Sequence, residues 1–228
     1  LENSENFSVD TYAEGHFSTG AFDHTVVAGF DYTQSSYDAY YGGVGYVSAA
    51  DTDAVDQPYS HGQEMYQYGV YVHDQLSSGP WTMFLSGRYD WVDMTTFDAN
   101  QNGTDTSHNG FSGRVGLSYA FNTDLSVYAN VSSSFVPTTG LVYDDGTDPN
   151  SGRSAEPTRG LQKEVGVKYQ LPGTESLITA SLFDIRQEDG VVFQTVDPAT
   201  FNGLNQVQVP YDLRSRGLEI EGQFNFSN

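Results

Sequence analysis

Apolar and polar residues alternate with a period of two along most of this chain, and helical periodicity is nearly absent. The alternation predicts nine strands, over residues 7–17, 24–36, 64–76, 81–93, 110–121, 125–136, 161–171, 176–188 and 208–224. In the fifth, Phe111, Val115, Leu117, Tyr119 and Phe121 point one way, and Ser112, Arg114, Gly116, Ser118 and Ala120 the other. The sixth sets Leu125, Val127, Ala129, Val131 and Phe135 against Ser126, Tyr128, Asn130, Ser132 and Ser134. In the seventh, Val165, Val167, Tyr169 and Leu171 oppose Glu164, Gly166, Lys168 and Gln170. Each strand therefore carries an oily face and a small or polar face. Both a core-packed sandwich and a membrane barrel satisfy that pattern.

The connections favour the barrel. Every second one is short (18–23, 77–80, 122–124 and 172–175), and the others are long (37–63, 94–109, 137–160 and 189–207). In an antiparallel up-and-down meander this sorting puts all short turns at one end and all long loops at the other, as outer-membrane barrels do. Greek-key sandwiches have no reason to sort their loops. Spacing agrees: Phe7 and Phe17, Tyr66 and Leu76, Trp81 and Trp91, Phe111 and Phe121, and Leu125 and Phe135 lie ten positions apart on the oily face. Ten residues at about 3.3 Å each, tilted by about 45°, climb about 23 Å, close to the height of a barrel's apolar band between its aromatic girdles. Between them the outward residues are smaller, such as Ala13, Ala28, Gly87 and Ala129.

Nine strands cannot close such a barrel, because single-chain bacterial barrels use even numbers and an open edge in lipid strands a row of unpaired backbone groups. Residues 1–228 therefore read as one partial barrel domain of a longer chain, beginning at Leu1 without a signal peptide. At about 25 residues per strand and loop, a barrel of the plugged-transporter size takes roughly 550 residues.

Composition narrows the function. Thirty acidic residues against nine basic ones give a net charge of −21, which excludes a nucleic-acid surface. Tyr (16) and Phe (14) are too frequent for a disordered acidic tail, and the absence of cysteine removes disulfides and thiolate chemistry. No enzyme motif stands out: Gly110-Phe111-Ser112-Gly113 has the wrong spacing for a nucleophile elbow, and His16, His24, His61, His73 and His108 are dispersed. Asp144 through Asn150 is calcium-loop-like in composition but lacks the spacing and closing Glu of an EF-hand, so a solvated acidic turn is expected.

Gly69-Val70-Tyr71-Val72-His73-Asp74-Gln75 with Leu85 through Trp91, Val131 through Pro137, Glu156-Pro157 through Tyr169, Ser181 through Arg186, and Arg214 through Gly222 follow one another along the chain, and these segments resemble strands of TonB-dependent ferric-siderophore receptors. Each is weak alone; their joint order over residues 64–224 is specific. The resemblance implies an all-β fold, an antiparallel up-and-down meander forming part of a 22-stranded outer-membrane β-barrel whose lumen is closed by a plug. It also implies a function: binding of a ferric siderophore outside the cell and active import driven through the plug by the TonB–ExbB–ExbD complex. No plug, TonB-contacting segment or terminal barrel strand is recognisable in these residues. Neither catalysis nor a covalently bound cofactor is expected. The partners expected are the siderophore, TonB–ExbB–ExbD, outer-membrane lipid and lipopolysaccharide. The competing readings are a soluble extracellular β-sandwich, binding or carbohydrate-active, and a barrel whose cargo is haem, cobalamin or a copper chelate.

Site residues follow from faces and loops. Asp31, Arg88, Asp90, Arg114, Glu164, Lys168, Asp184, Arg186, Glu219 and Glu221 are expected to face the lumen as a polar network. Arg214 and Arg216 conflict in parity, sharing the face of outward Leu218 and Ile220; a bulge near Gly217, or a position above the membrane, would reconcile them. Tyr40, Tyr41, Tyr46 and Tyr59, with Phe135, Tyr143, Phe193 and Phe201 behind them, are candidate siderophore contacts, aromatics that embrace a chelate's rim while hydroxyls donate to its oxygens. The long loops carry ten or so Asp against Arg153 and Arg159, so the mouth disfavours anionic chelates and favours a hydroxamate-like one.

Overall fold

Each short connection carries its own reason to turn. Gly20, Gly79 and Gly173 take positive φ (64°, 55° and 74°), a conformation that costs a residue without Cβ little. The remaining turn has no such glycine; there Asn122 Oδ1 accepts the N–H groups of Asp124 (2.8 Å) and Leu125 (2.9 Å), an Asx turn. These turns join the strands of a computed structural model, which describes residues 2–40, 59–144, 146–201 and 204–225.

The elements are β1 (Glu2–Thr19), β2 (Phe22–Tyr40), β3 (Tyr59–Ser78), β4 (Trp81–Phe97), β5 (Gly103–Ala120), β6 (Leu125–Val136), β7 (Leu141–Val142), β8 (Arg153–Ser154), β9 (Thr158–Gln170), β10 (Leu177–Thr195) and β11 (Gln206–Gln223). Nine are long, and each pairs antiparallel with the next long strand in a single sheet. This is the all-β meander the alternation implies, with short turns at one end and long connections at the other. The two-residue β7 and β8 lie inside the third long connection; β7 makes one parallel pairing with β11, Val142 to Gln208.

Several strands run further toward the long loops than the alternation indicates. β2 continues to Tyr40, β3 begins at Tyr59 and β10 reaches Thr195. Beyond the apolar band both faces of a strand meet water, so the pattern fades while the backbone pairing goes on.

One face of the sheet is oily and uncovered. Phe7, Phe17, Trp81, Trp91, Phe111 and Phe121 are each roughly half exposed, and Val115, Val165, Leu182, Leu218 and Ile220 between the ends are equally open. A water-soluble sandwich would bury this face against a second layer. The buried apolar cluster lies elsewhere: Phe201, Val207 and Val209, joined by Tyr143 and Val196, pack at the long-loop end. The opposite, inner face carries the polar side chains.

Two sequence assignments need correction. Phe135 does not continue the outward row. Pairing of β5 with β6 stops at Gly113 opposite Ser133, whose Oγ accepts the Gly113 N–H (3.0 Å), and beyond this irregularity the Phe135 ring covers Gly110 while Val136 becomes the exposed residue. Asp184 and Arg186 do not face inward either. The register of β10 places Leu182, Asp184 and Arg186 on one face, opposite Leu218, Arg216 and Arg214, and Leu182 and Leu218 lie on the exposed oily side. Phe183 takes the inner side instead, its ring over Gly217, where no side chain competes for space. No bulge lies near Gly217; the irregularity in this pair is between Gln187 and Gly190. Arg214 and Arg216 are therefore outward residues.

Candidate functional site

The inner face is organised by two long polar side chains lying flat along the sheet, each across a glycine. Tyr71 reaches over Gly29, and its hydroxyl donates to Asp10 Oδ1 (2.8 Å), two strands away. Arg88 reaches over Gly69 to Asp31: one terminal nitrogen donates to Oδ1 (2.9 Å), and the other binds Oδ2. Its Nε and a terminal nitrogen also hold Asp90 (3.0 and 2.6 Å), and Gln67 Nε2 donates to the same carboxylate (2.8 Å). A β-carbon at either glycine would collide with the side chain above it. Asp31, Arg88 and Asp90 thus meet on the inner face, as their parity suggests. Asp10, Gln67 and Tyr71 join them without having been singled out in the sequence; the signal available was a glycine at matching register on the intervening strand.

A second cluster lies on β4, β5, β6 and β9. Tyr128, lying over Gly166, donates to Glu164 Oε1 (2.5 Å), and Gln162 Nε2 donates to Glu164 Oε2 (2.9 Å). The Lys168 ammonium stands 5.3 Å from the Tyr128 ring centre, and the Arg114 guanidinium 5.7 Å from that of Phe84. Arg114, Tyr128, Asn130, Glu164 and Lys168 line a polar depression in the wall. Glu219 and Glu221 share this face on β11, opposite Ser181 and Thr179. Of the expected lumen residues, all but Asp184 and Arg186 are on the inner side.

The candidate ligand contacts are dispersed along the long-loop end. Tyr40 and Tyr59 meet edge-on, ring centres 5.7 Å apart, and Tyr37 and His61 stand 5.8 Å apart on the same two strands. Burial first, then the Asp38 carboxylate, pushes the Tyr59 phenol above its ordinary pKa. It is therefore a protonated hydrogen-bond donor at neutral pH. Tyr41 and Tyr46 lie outside the described residues. Tyr143 packs edge-on against Phe201 at 5.4 Å, giving that ring a structural anchor. Phe193 is 69% exposed on β10, and Phe135 has Arg159 5.8 Å from its ring centre. The structure therefore pairs Tyr40 with Tyr59 and Tyr143 with Phe201, and leaves Phe193 and Phe135 apart from both.

Acidic loop residues serve local order as well as field. Asp148 Oδ1 accepts the Asn150 N–H (2.8 Å), and Arg153 stands 3.6 Å from Asp144. Asp98 accepts the N–H groups of Asn100 (2.8 Å) and Asn102 (2.9 Å), and the Asn102 side chain holds both of its oxygens (3.3 and 3.0 Å). The Asn102 hydrogen bonds lead in holding this carboxyl below its usual range. A depressed folded-state pKa stabilises the loop above the unfolded value of about 3.9, and that stability is lost as pH falls through the folded value. Amide exchange at Asn100 and Asn102 is accordingly expected to show stronger protection at pH 6 than at pH 3 after correction for intrinsic rates, and Asp98→Asn to remove the difference.

Known proteins match both the sequence and this geometry. Residues 2–228 match the family model described as TonB dependent receptor-like, beta-barrel. The ferrioxamine B receptor of Salmonella typhimurium strain LT2 is 30% identical over 237 residues, covering 100% of this chain and 32% of that protein. The ferrichrome outer membrane transporter/phage receptor of Escherichia coli K12 is 29% identical over 240 residues, covering 97% of this chain and 30% of that protein. Among solved structures, the closed form of the ferric-catecholate import receptor Fiu from E. coli K12 superposes with a TM-score of 0.74 at 18% identity, over 99% of this chain and 36% of that one. The chain thus spans about a third of the length of the curated relatives it matches. The exposed oily face is the lipid face of an outer-membrane β-barrel, and the chain belongs to the TonB-dependent receptor-like β-barrel family.

Proposed function

We propose that the protein containing this chain imports a ferric siderophore of the hydroxamate type across the outer membrane, with energy delivered by TonB–ExbB–ExbD through a plug inside a barrel of 22 strands. The observation that carries the reading is likeness along nearly the whole chain, at 29–30% identity, to receptors named for ferrioxamine B and ferrichrome. Both of those ligands are hydroxamate chelates. Charge supports the same class: a mouth fringed by Asp38, Asp98, Asp144, Asp148 and Asp197 in a chain of net charge −21 repels a triply negative tris-catecholate and tolerates a neutral or cationic chelate. The inner polar wall of Arg88, Arg114, Glu164, Lys168 and their partners contacts the plug, and the Tyr40–Tyr59 pair contributes to the external ligand surface, with Tyr143, Phe135 and Phe193 in supporting places. Outer-membrane lipid and lipopolysaccharide surround the barrel.

Iron uptake by cells whose only siderophore receptor is the full-length protein tests this. Uptake is expected from a ferric tris-hydroxamate and not from a ferric tris-catecholate, and is expected to vanish when TonB is deleted. Loss of one ring from the aromatic pair, as Tyr59→Ala, is expected to weaken binding about 3- to 10-fold, the value of one aromatic contact. Preferential catecholate uptake, or hydroxamate uptake that persists without TonB, would overturn the proposal.

A further inference from the structure

The wall of the barrel is interrupted between β5 and β6. Their ladder runs from Ala120 opposite Ser126 to Gly113 opposite Ser133, and among the described residues no cross-strand pair joins them above that rung. Yet β5 stays paired with β4 as far as Gly103, and β6 with β9 as far as Val136. Side chains reinforce the division. Tyr89 donates to Asn109 (2.8 Å), Thr95 to Asp105 (2.8 Å) and Ser107 to Asp93 (2.6 Å), which fastens upper β5 to β4. Contacts across the seam are of another kind. Ser133 Oγ accepts the Gly113 N–H (3.0 Å), the Phe135 ring covers Gly110, and His108 Nε2 donates to the Thr138 carbonyl (2.8 Å). One ring and two side-chain hydrogen bonds therefore stand where a backbone ladder would run.

Depth gives the seam its meaning. Gly113 is seven residues from the turn end of β5 at Ala120, and Phe111 is nine. At about 3.3 Å per residue and a tilt near 45°, the seam begins about 16 Å up an apolar band about 25 Å tall and passes Phe111 at about 21 Å. That is the hydrocarbon of the outer leaflet, where an interrupted ladder is costly and persists only when protein covers the freed backbone. The exposed side chains of Phe111 and Val136 flank it on the lipid side. Just below its foot Val115 stands opposite Val131, and from there an apolar trough continues over Leu117, Ala129 and Val165. On the other side of the wall Gly110 lies opposite Asp90 on the inner face. The Phe135 ring over Gly110 thus separates the polar interior from an apolar path in the membrane.

We propose that this seam passes the acyl tail of an amphiphilic ferric hydroxamate. The chelate sits in the mouth, and its tail leaves sideways between β5 and β6, displaces the Phe135 ring and lies in the trough among the lipid chains. An opening with polar wall on one side and hydrocarbon on the other fits a ligand with a polar head and a fatty tail; a wholly polar chelate has no use for a way through the wall. Each methylene moved from water into hydrocarbon tightens binding about fourfold, so the tail adds affinity that an aqueous mouth cannot supply. The inference names the substrate class within the transport reading and rests on that reading.

The test compares uptake of two ferric tris-hydroxamates, one with an acyl tail and one without, by cells carrying the full-length protein. Gly110→Cys with Phe135→Cys sets two thiols where the ring now lies, so that oxidation staples the seam shut. The oxidised form is expected to take up the acylated chelate at least about tenfold more slowly than its own reduced form, the value of about two methylenes left in water. Uptake of the tailless chelate should be the same in both forms. Ala120→Cys with Ser126→Cys, which staples a rung of the intact ladder, should give no difference between oxidised and reduced forms for either chelate. On the unsubstituted protein, a photoreactive group on the tail is expected to label Val115, Val131 or Phe135, and an excess of tailless chelate should abolish the labelling because both heads share one site. A staple that slows both chelates equally or neither, or labelling elsewhere in the barrel or undiminished by the tailless chelate, would overturn the proposal while leaving the transport reading intact. If the unsubstituted protein takes up neither chelate, both readings fall.

Discussion

Leu117→Arg is expected to cost about 2 to 4 kcal/mol of folding stability in lipid, and Ser118→Arg, one residue along the same strand, less than about 1 kcal/mol. Leu117 is outward on β5, six residues from Phe111 and four from Phe121, and its cross-strand partner is Ala129. An arginine there lies near mid-depth in hydrocarbon and must drag water or headgroups toward it. Ser118 pairs with Tyr128 on the polar face, where an added guanidinium stays hydrated near Glu164. Urea titration of the full-length receptor folded into lipid vesicles reads both values. Equal costs at the two positions would mean that neither face meets lipid, and a larger cost at Ser118 would reverse the assignment of the faces.

The same contrast explains which parts of the fold were legible from sequence. On β5 one parity is aromatic or aliphatic and the other small or polar, so the face of every residue can be read by counting. On β10 that rule fails, because Leu182 and Phe183 are neighbours on opposite faces and both are large and apolar. The deciding fact is remote in sequence: Gly217 on β11 leaves room for the Phe183 ring on the inner side, which sends Asp184 and Arg186 outward with Leu182. Arg214 and Arg216 share the outward parity of Leu218 and Ile220, and their hydrogen bonds to Asp184 leave all three on that face instead of turning the arginines inward.

Strand ends and loop contacts were hidden for a different reason. The segment Gln34-Ser35-Ser36-Tyr37-Asp38-Ala39-Tyr40 has no alternation, yet it pairs with β3 as far as Tyr40 opposite Tyr59. Above the membrane the hydrophobic pattern is not required, and the β-favouring tyrosines there carry only a weak propensity signal. The packing of Tyr143 on Phe201 joins two long connections more than fifty residues apart, and β7 and β8 are too short to leave a periodicity. The composition of the long-loop end was therefore readable, whereas the partners of its individual rings were not.

Arg88→Met is expected to destabilise the folded barrel by about 3 kcal/mol, the lower end of the cost of stranding a buried ion-pair partner. The Arg88 side chain is 28% exposed, and those of Asp31 and Asp90 are 19% and 6% exposed, so water screens the cluster only in part. Without Arg88 the two carboxylates face each other across Gly69 with no cation near, while Gln67 satisfies one oxygen of Asp90 alone. The loss should come from unpaired charge more than from lost volume, so adding Asp31→Asn and Asp90→Asn to Arg88→Met should recover most of the stability. Unfolding of the three proteins in vesicles separates these contributions. If the triple variant is no more stable than Arg88→Met, the arginine acts through packing over Gly69 and Tyr71. If Arg88→Met matches the parent, the cluster is a hydrated surface on the inner wall that adds nothing to the barrel's own stability.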